Sequence, residues 1–557
     1  MLNQINNFFL EFNDYIDYNK TNEIKEKYKY LYYKYHHKIF KNKIERKFIH
    51  RYKHLNKFIN KHNKKYINTN INLEIFNNIN GHKLDKNQKT AILTDEINNL
   101  IIAGAGSGKT LTIVGKIKYL IEIKKIKPEE ILCISFTNDS VKSLKEKITS
   151  NIEILTFHKL AIKILSKKKY NISNISLNYI VDEYFNNIIY NNEAMIKKVF
   201  KILNFEYNIK EYNIILKSKQ LKQLKQIIIT FINIFKSYNY SLNKIIEIKN
   251  KSNKYLLSII IDIYFLYQQE LQSIKAIDFN DMINLATKEV KNNKSTLKYK
   301  YIIIDEYQDT SYTRYELIKA IINKTKSKLI TVGDDWQSIY QFTGCDLNIF
   351  LKFQKYYGYT KKIYITNTYR NSQELINVAS KFILNNKNQI KKKLRSYKHE
   401  KKPIKIIYET NNILEFLIQD LYKKGIKNIL ILGRNNNDIN KYLTDNLILD
   451  KDIIKNKFNL NIRYLTVHKS KGLEEECVII INLVNDILGF PNQIENNKII
   501  ESLNRNKIDH IEEERRLFYV ALTRTKGLVY LIIPSKNKSQ FVDELLKRSK
   551  KYIEFIY

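Results

Sequence analysis

Eight consecutive residues, Ala103, Gly104, Ala105, Gly106, Ser107, Gly108, Lys109 and Thr110, set glycines, a lysine and a hydroxyl in the order that wraps a polyphosphate. The glycines let backbone N–H groups turn toward phosphate at a helix N-terminus. Lys109 supplies a point charge to the β- and γ-phosphates, and Thr110 offers a hydroxyl to Mg²⁺. The first position is alanine where the strict pattern has glycine. Far downstream, the apolar run Tyr301–Ile304 ends in Asp305-Glu306. One carboxylate there can hold magnesium and its neighbour can orient and deprotonate water, so Asp305 is assigned to the metal and Glu306 to the base. An acidic pair at the end of a strand also fits a helix cap. Lys109, upstream in the same inferred sheet, favours the catalytic reading.

Such a loop works only between a buried strand and a helix. Leu100–Ile102 precedes it, and Leu111, Val114, Ile117 and Leu120 follow with helical period. Similar apolar runs at Ile131–Ser135, Tyr301–Ile304 and Leu329–Val332, with helical patterns between them, predict a parallel α/β sheet over residues 81–159 and 276–362. Residues 160–275 interrupt it with proline-free helical stretches such as Gln220–Tyr238, which predicts a helical insertion. Strands expected at Ile363–Ile365, Ile404–Tyr408, Ile429–Leu432, Val478–Leu483 and Leu528–Ile533 place a second α/β domain over residues 363–557. Residues 1–80 read as a basic helical arm, with no glycine or proline from Lys25 to Lys53.

Bulk properties narrow the partners. Lys and Arg number 96 against 56 acidic residues, a formal charge of +40 that attracts polyanions, nucleic acid first among them. The chain is also rich in Asn, Lys, Ile and Tyr, residues with A/T-rich codons, so charge alone does not establish binding. Cys133, Cys345 and Cys477 stand far apart with no Cys/His cluster, which argues against disulfides, zinc or iron–sulfur and fits a reducing cytosol. No export signal is read, and apolar stretches such as Leu256–Leu266 carry Asp262 and fall short of a membrane span. The expected location is cytoplasmic.

An ordered series of motifs carries a resemblance. It runs Leu84-Asp-Lys-Asn-Gln88, the 103–110 loop, Ser135-Phe-Thr-Asn138, Thr156-Phe-His158, Asp305-Glu-Tyr-Gln-Asp309, Val332-Gly-Asp-Asp-Trp-Gln-Ser-Ile-Tyr340 and Thr368-Tyr-Arg370. Thr466-Val-His-Lys-Ser-Lys-Gly-Leu-Glu474 and Glu513-Glu-Arg-Arg-Leu-Phe-Tyr-Val-Ala-Leu-Thr-Arg524 complete it. Over residues 84–533 the chain resembles superfamily 1 helicases of the UvrD/Rep type, and the Gly-Asp-Asp-Trp-Gln form at 333–337 followed by Phe342-Thr-Gly344 looks like the helicase IV branch.

The resemblance implies an α/β fold: two RecA-like P-loop motor domains with parallel sheets, a helical insertion in the first, a reduced insertion in the second and a helical N-terminal arm. It implies ATP and Mg²⁺ as cofactors. Gln88 would read the adenine edge, Tyr369 would stack on the base, Gln337 would sense the γ-phosphate, Arg370 and Arg524 would reach it from the second domain, and Glu474 would complete the ATP site. Guanidinium groups suit that work because they stabilise charge spread over the transferring oxygens. Phe136, Asn138, His158, Tyr340, Phe342 and His468 would line the single-strand track, where aromatic rings stack on bases of any identity.

Departures from the pattern modify the expectation. Leu111 stands where relatives carry arginine after the loop threonine, which leaves more of the base stacking to Tyr369. Gln341 replaces an arginine after Tyr340. Only 95 residues, 371–465, separate the TYR and TVH motifs, too few for the large fourth subdomain, and no nuclease domain is expected after Arg524.

The leading expectation is an ATP-dependent DNA helicase that moves 3′ to 5′ on single-stranded DNA and acts at single-strand/duplex junctions in repair or recombination, with a repair or transcription protein as a further partner. A translocase that strips proteins from nucleic acid with little unwinding is the second reading. A non-catalytic nucleic-acid-binding protein is the third. Unwinding and protein-displacement assays separate the first two, and ATP hydrolysis separates both from the last.

Overall fold

The computed structural model of the chain describes residues 2–166, 171–173, 175–206, 218–249, 254–292, 296–493, 498–503 and 509–556. Six strands make the first sheet: β1 (Asn98–Ala103), β2 (Ile131–Ser135), β3 (Glu153–Thr156), β4 (Tyr301–Ile304), β5 (Lys328–Gly333) and β6 (Lys361–Ile365). Their order is β3-β2-β4-β5-β1-β6, parallel throughout. Helices Lys86–Leu93, Lys109–Glu122 and Asn138–Lys147 cover one face, and Phe157–Leu165, Phe279–Lys291 and Tyr312–Thr325 the other. Burial on both faces is why the central strands are continuous apolar runs.

The second sheet holds eight strands: β7 (Ile404–Tyr408), β8 (Asn428–Gly433), β9 (Leu447–Asp450), β10 (Ile453–Asn456), β11 (Asn461–Thr466), β12 (Glu475–Ile480), β13 (Thr525–Ile533) and β14 (Ile553–Ile556). Their order is β9-β10-β11-β8-β12-β13-β7-β14, with β9, β10 and β11 paired antiparallel at one edge and the rest parallel. The expected α/β class therefore holds, with an antiparallel hairpin added to the second sheet. Residues 371–465 fold into this domain, their strands all in its sheet and no separate fourth unit among the described residues.

Two expected boundaries shift. Ile363–Ile365 was read with the second domain, but β6 pairs with β1 from Asn99↔Lys361 to Ala103↔Ile365. As an edge strand it buries only Ile363 and Ile365 and leaves Tyr364 exposed, so its apolar run is too short to reveal which sheet it joins. The insertion was expected from residue 160, inside helix Phe157–Leu165, which packs through Phe157, Leu160, Ala161 and Leu165 beneath the first sheet.

The insertion proper is built on capped helices. Ser176, Asn192 and Ser218 each accept a backbone N–H in the first turn of Leu177–Tyr184, Glu193–Leu203 and Lys219–Ser237, satisfying donors a helix start leaves unpaired. Buried Lys236 then pairs with Asp278 at 2.5 Å and Asp281 at 2.7 Å, pinning the insertion to the helix that returns the chain to the sheet. Ile499 and Leu503, from the second domain, complete the insertion core.

The arm comprises helices Leu2–Leu10, Tyr18–Lys27, Lys29–His36, Lys43–Lys53 and Leu55–Asn70 around a core that includes Ile5, Phe8, Ile24, Phe48 and Ile59. It docks where β1, β5 and β6 begin. Asp17 pairs with Lys328 at 2.8 Å, the Tyr18 N–H donates to Glu96 at 2.6 Å, and the Tyr18 ring stacks on Tyr359 at 4.4 Å. The glycine loop leaves the opposite end of β1, so the arm sits at the far pole of the sheet. No described helix is long and apolar enough to cross a membrane.

Candidate active site

β1 ends at Ala103, and Lys109 opens the next helix. Between them Gly106 (φ +68°) and Gly108 (φ +76°) adopt left-handed conformations that glycine takes without steric cost. A Cβ on Gly106 would lie 2.4 Å from the Arg370 Cβ, and one on Gly108 2.6 Å from the Gln88 amide nitrogen. Two distant segments thus close on the loop. The Thr368 hydroxyl donates to the Ala105 carbonyl at 2.7 Å, the Tyr369 N–H to Gly106 at 3.0 Å, and the Gln88 amide to Ser107 at 3.1 Å. β6 makes this possible, since it runs beside β1 and delivers Thr368–Arg370 to the loop.

Gln88 is buried, its oxygen accepting the Asp85 N–H at 2.9 Å in a reciprocal helix cap. Tyr369 is half-exposed beside it and donates to the Asp85 carboxylate at 2.7 Å.

β4 ends at Ile304 and carries Asp305 and Glu306 to the same loop. Glu306 has φ +49°, a strained conformation for a non-glycine residue that costs about 1–3 kcal/mol and turns its side chain to Lys109 at 2.7 Å. Gln308 donates to the same carboxylate oxygen at 2.6 Å and accepts the Asp334 N–H at 2.9 Å. Burial and the neighbouring Glu306 charge push Asp305 well above the usual carboxylate range. Burial would raise Glu306 too, but Lys109 and Lys471 hold it low. The pair therefore shares its charge unequally, and a divalent cation beside Asp305 favours its ionised form.

Gln337 stands between the two domains. Its amide donates to Asp334 at 2.5 Å, and its oxygen accepts from Arg524 at 3.2 Å. Arg524 ends the helix–strand link before β13 and is 1% exposed, and burial with Arg370 nearby pulls its pKa down to about 9. Arg370 donates to Glu474 at 2.6 Å and to the Thr523 carbonyl at 3.2 Å. Helix His510–Leu522 adds Arg516, which donates to the Ser338 carbonyl at 2.8 Å. Trp336 and Ile339 of the first domain pack into the core of the second.

Two lysines with no assigned role complete this junction. Lys392, its side chain 1% exposed, reaches Asp334 and pairs with Asp335 at 2.7 Å, its ammonium 4.3 Å from the Trp336 ring centroid. It sits in a Lys391-Lys392-Lys393 run indistinguishable in sequence from the lysine-rich background. Lys471 pairs with Asp309 at 2.5 Å, donates to the Gln337 carbonyl at 2.7 Å and lies 4.9 Å from the Tyr340 ring centroid.

The expected track residues fall into two aromatic groups. Phe136 packs edge-on to Phe157 at 5.2 Å beneath the Arg314 guanidinium, and His158 lies 4.7 Å from the exposed ring of Phe279. Tyr340 donates to the His468 carbonyl at 3.1 Å, and exposed Phe342 meets the His468 ring perpendicularly at 5.4 Å. Arg314 and Cys345 both donate to the Asp309 carbonyl, at 3.2 and 2.8 Å, which joins the groups. Asn138 is exposed at the start of its helix. Phe279 and Arg314 had no sequence signal: Phe279 shares helical period with buried Met282, Ile283 and Ala286, so spacing alone reads it as core.

Burial holds His158 down at about 4, aided by Arg314, and His468 at about 3, aided by Arg434 and Lys471. Both are neutral in the fold near neutral pH, while in the unfolded chain they protonate near 6.5. Unfolding then takes up protons below 6.5, so the stability these rings contribute is complete above that pH and drains away as pH falls toward 4. Urea midpoints compared at pH 7.5 and 5 are expected to fall, and His158→Gln/His468→Gln is expected to flatten the fall. An undiminished slope in that variant would assign the acid sensitivity to other groups.

One sheet supplies a glycine-rich phosphate loop and a strand-end acidic pair, and a second sheet turns arginines toward them, the build of a two-domain P-loop motor ATPase. Residues 84–358 match the UvrD/REP helicase N-terminal domain and residues 436–536 the UvrD-like helicase C-terminal domain. The chain belongs to the UvrD/Rep family of ATP-dependent DNA helicases. It is 27% identical over 505 residues to DNA helicase IV of Escherichia coli, covering 85% of this chain and 71% of that protein. To the ATP-dependent DNA helicase PcrA of Staphylococcus epidermidis it is 30% identical over 316 residues, 54% of this chain and 40% of that one. To PcrA of Bacillus subtilis it is 28% identical over 397 residues, 67% and 49%. The chain thus spans half or less of the PcrA proteins it matches.

Proposed function

We propose that this chain is an ATP-dependent motor that moves 3′ to 5′ along single-stranded DNA and unwinds duplex at junctions during repair or recombination. The observation that carries the reading is the contact between Arg524, beside the second sheet, and Gln337, beside the first, at 3.2 Å. Side chains from both sheets meet at one loop, so chemistry there is felt as relative motion of the domains.

Position supports a role for each residue. The 103–110 loop cradles the phosphates, and its left-handed glycines form the concavity that a Cβ would fill. Lys109 holds the β/γ-phosphates, which must compete with Glu306 for its ammonium. Tyr369 stacks on the base beside Gln88, while Glu474 positions Arg370. Glu306 takes the proton of the attacking water, and Gln337, Arg370 and Arg524 stabilise charge on the transferring group. Thr110 and Asp305 supply the hydroxyl and carboxylate oxygens that suit Mg²⁺, which when bound neutralises charge between the β- and γ-phosphates. Phe136, Asn138, His158, Tyr340, Phe342 and His468 guide the strand, with Phe279 and Arg314 added.

ATP hydrolysis measured with single-stranded DNA, duplex DNA and single-stranded RNA over a salt series tests the reading. Strong stimulation by the single DNA strand that weakens with salt is expected. Equal rates with and without nucleic acid would sink it.

A second reading, a translocase that displaces proteins with little unwinding, is favoured by the absorption of residues 371–465 into the second sheet domain. Displacement of a protein block without separation of a short duplex would select it.

A further inference from the structure

The surface with the least explained chemistry lies on the arm, at the far pole of the first sheet from the glycine loop. Between residues 25 and 65 stand fifteen Lys and Arg against two Glu and no Asp, about twice the basic density of the whole chain, 96 in 557. A codon bias acting evenly along the chain does not produce that local excess. From Lys29 to Lys43 there is no acidic residue at all.

This stretch is also aromatic on its outside. Leu31 and Tyr35 turn inward from helix Lys29–His36, whereas Tyr30, Tyr33, Lys34 and His37, three and four residues apart, are exposed along the opposite side. The helix runs into a turn where Ile39 is 88% and Phe40 86% exposed, flanked by Lys38 and Lys41. The turn is held in shape: Lys38 pairs with Glu45 at 2.7 Å, and Glu45 forms a reciprocal cap with Asn42. Tyr32 stacks on Tyr52 at 4.6 Å beneath it.

Lys29 and Lys38 are paired with Glu26 and Glu45, but Lys34 and Lys43 have no carboxylate partner among the described residues, and exposed rings interleaved with such cations are the chemistry that holds an unpaired polynucleotide. The rings stack on bases of any identity, and the cations track the phosphates. We infer that residues 29–43 of the arm form a second binding site for single-stranded nucleic acid, separate from the track between the motor domains. The inference stands on the arm's own surface and does not depend on the ATPase reading.

The test uses the full chain without ATP and single strands of roughly ten nucleotides, within the span one such surface covers. DNA and RNA oligomers form separate arms of the experiment, and anionic phospholipid vesicles a third. The wild type is expected to bind two oligomers. Tyr30→Ala/Tyr33→Ala/Phe40→Ala is expected to bind one, with affinity at the lost site down at least tenfold. Lys34→Gln/Lys43→Gln, which leaves every aromatic in place, is expected to reduce the slope of log affinity against log salt at that site by about 1.4, two contacts at about 0.7 each. Cross-linking of an iodouridine-bearing strand is expected to label residues 29–43, and whichever of DNA or RNA is retained identifies the source. Two oligomers bound by both variants at wild-type affinity and salt slope would overturn the inference. So would arm-dependent binding confined to vesicles.

Discussion

Glu306→Gln is expected to lower ATP turnover by about 10²–10⁴-fold while tightening ATP binding. The first effect follows from removing the carboxylate proposed to accept the proton of water. The second follows from geometry, because Glu306 is the counter-ion of Lys109 at 2.7 Å and the substitution frees that ammonium for phosphate. Lys109→Ala separates the two effects, losing binding and turnover together. Turnover by single-turnover kinetics and affinity by a fluorescent ATP analogue give the readout. Near-normal turnover in Glu306→Gln would move the base elsewhere, and weaker ATP binding would show that the ion pair supports the site rather than competing with it.

Arg524→Ala is expected to cut kcat by about 10³–10⁵-fold with little change in KM, the signature of a guanidinium that acts on charge developed in the transition state. Arg524 is buried among the Val520 and Leu473 carbonyls and Gln337, so its removal also leaves acceptors unpaired. Arg524→Lys controls for that loss: it keeps a charge but cannot reproduce a planar fork, and it is expected to stay deeply impaired. A rise in KM with kcat within tenfold of wild type would make Arg524 a binding group.

Much of this arrangement is legible in the sequence, for a physical reason. Strands buried on both faces have to be apolar throughout, so β2 and β4 stand out with their ends in place, and the glycine loop is marked by its flanking strand and helix. Edge strands lack that constraint. β3, with alternate residues buried, β9, with one of four, and β6, with two of five, merge with their surroundings, which is why β6 was assigned to the wrong sheet. The site residues inside motifs were read in order, but Lys392 was hidden among like residues, and its importance comes from carboxylates 57 and 58 residues away in sequence. The arm was legible as basic helices. Its docking was not, because it rests on a few side chains such as Asp17, Tyr18 and Tyr359 that have no pattern of their own.

Lys471 touches the Tyr340 ring on one side and the Gln337 carbonyl and Asp309 on the other. A strand that shifts Tyr340 and a phosphate that shifts Gln337 therefore act on the same ammonium. Thermodynamic linkage then makes their influence reciprocal: whatever factor a bound strand contributes to ATP affinity, bound ATP returns to strand affinity, a coupling commonly of about 1–3 kcal/mol. On the proposed roles of Tyr340 and Gln337, the term that strand and ATP share is this coupling free energy, and Lys471 is the side chain that touches both ends of it.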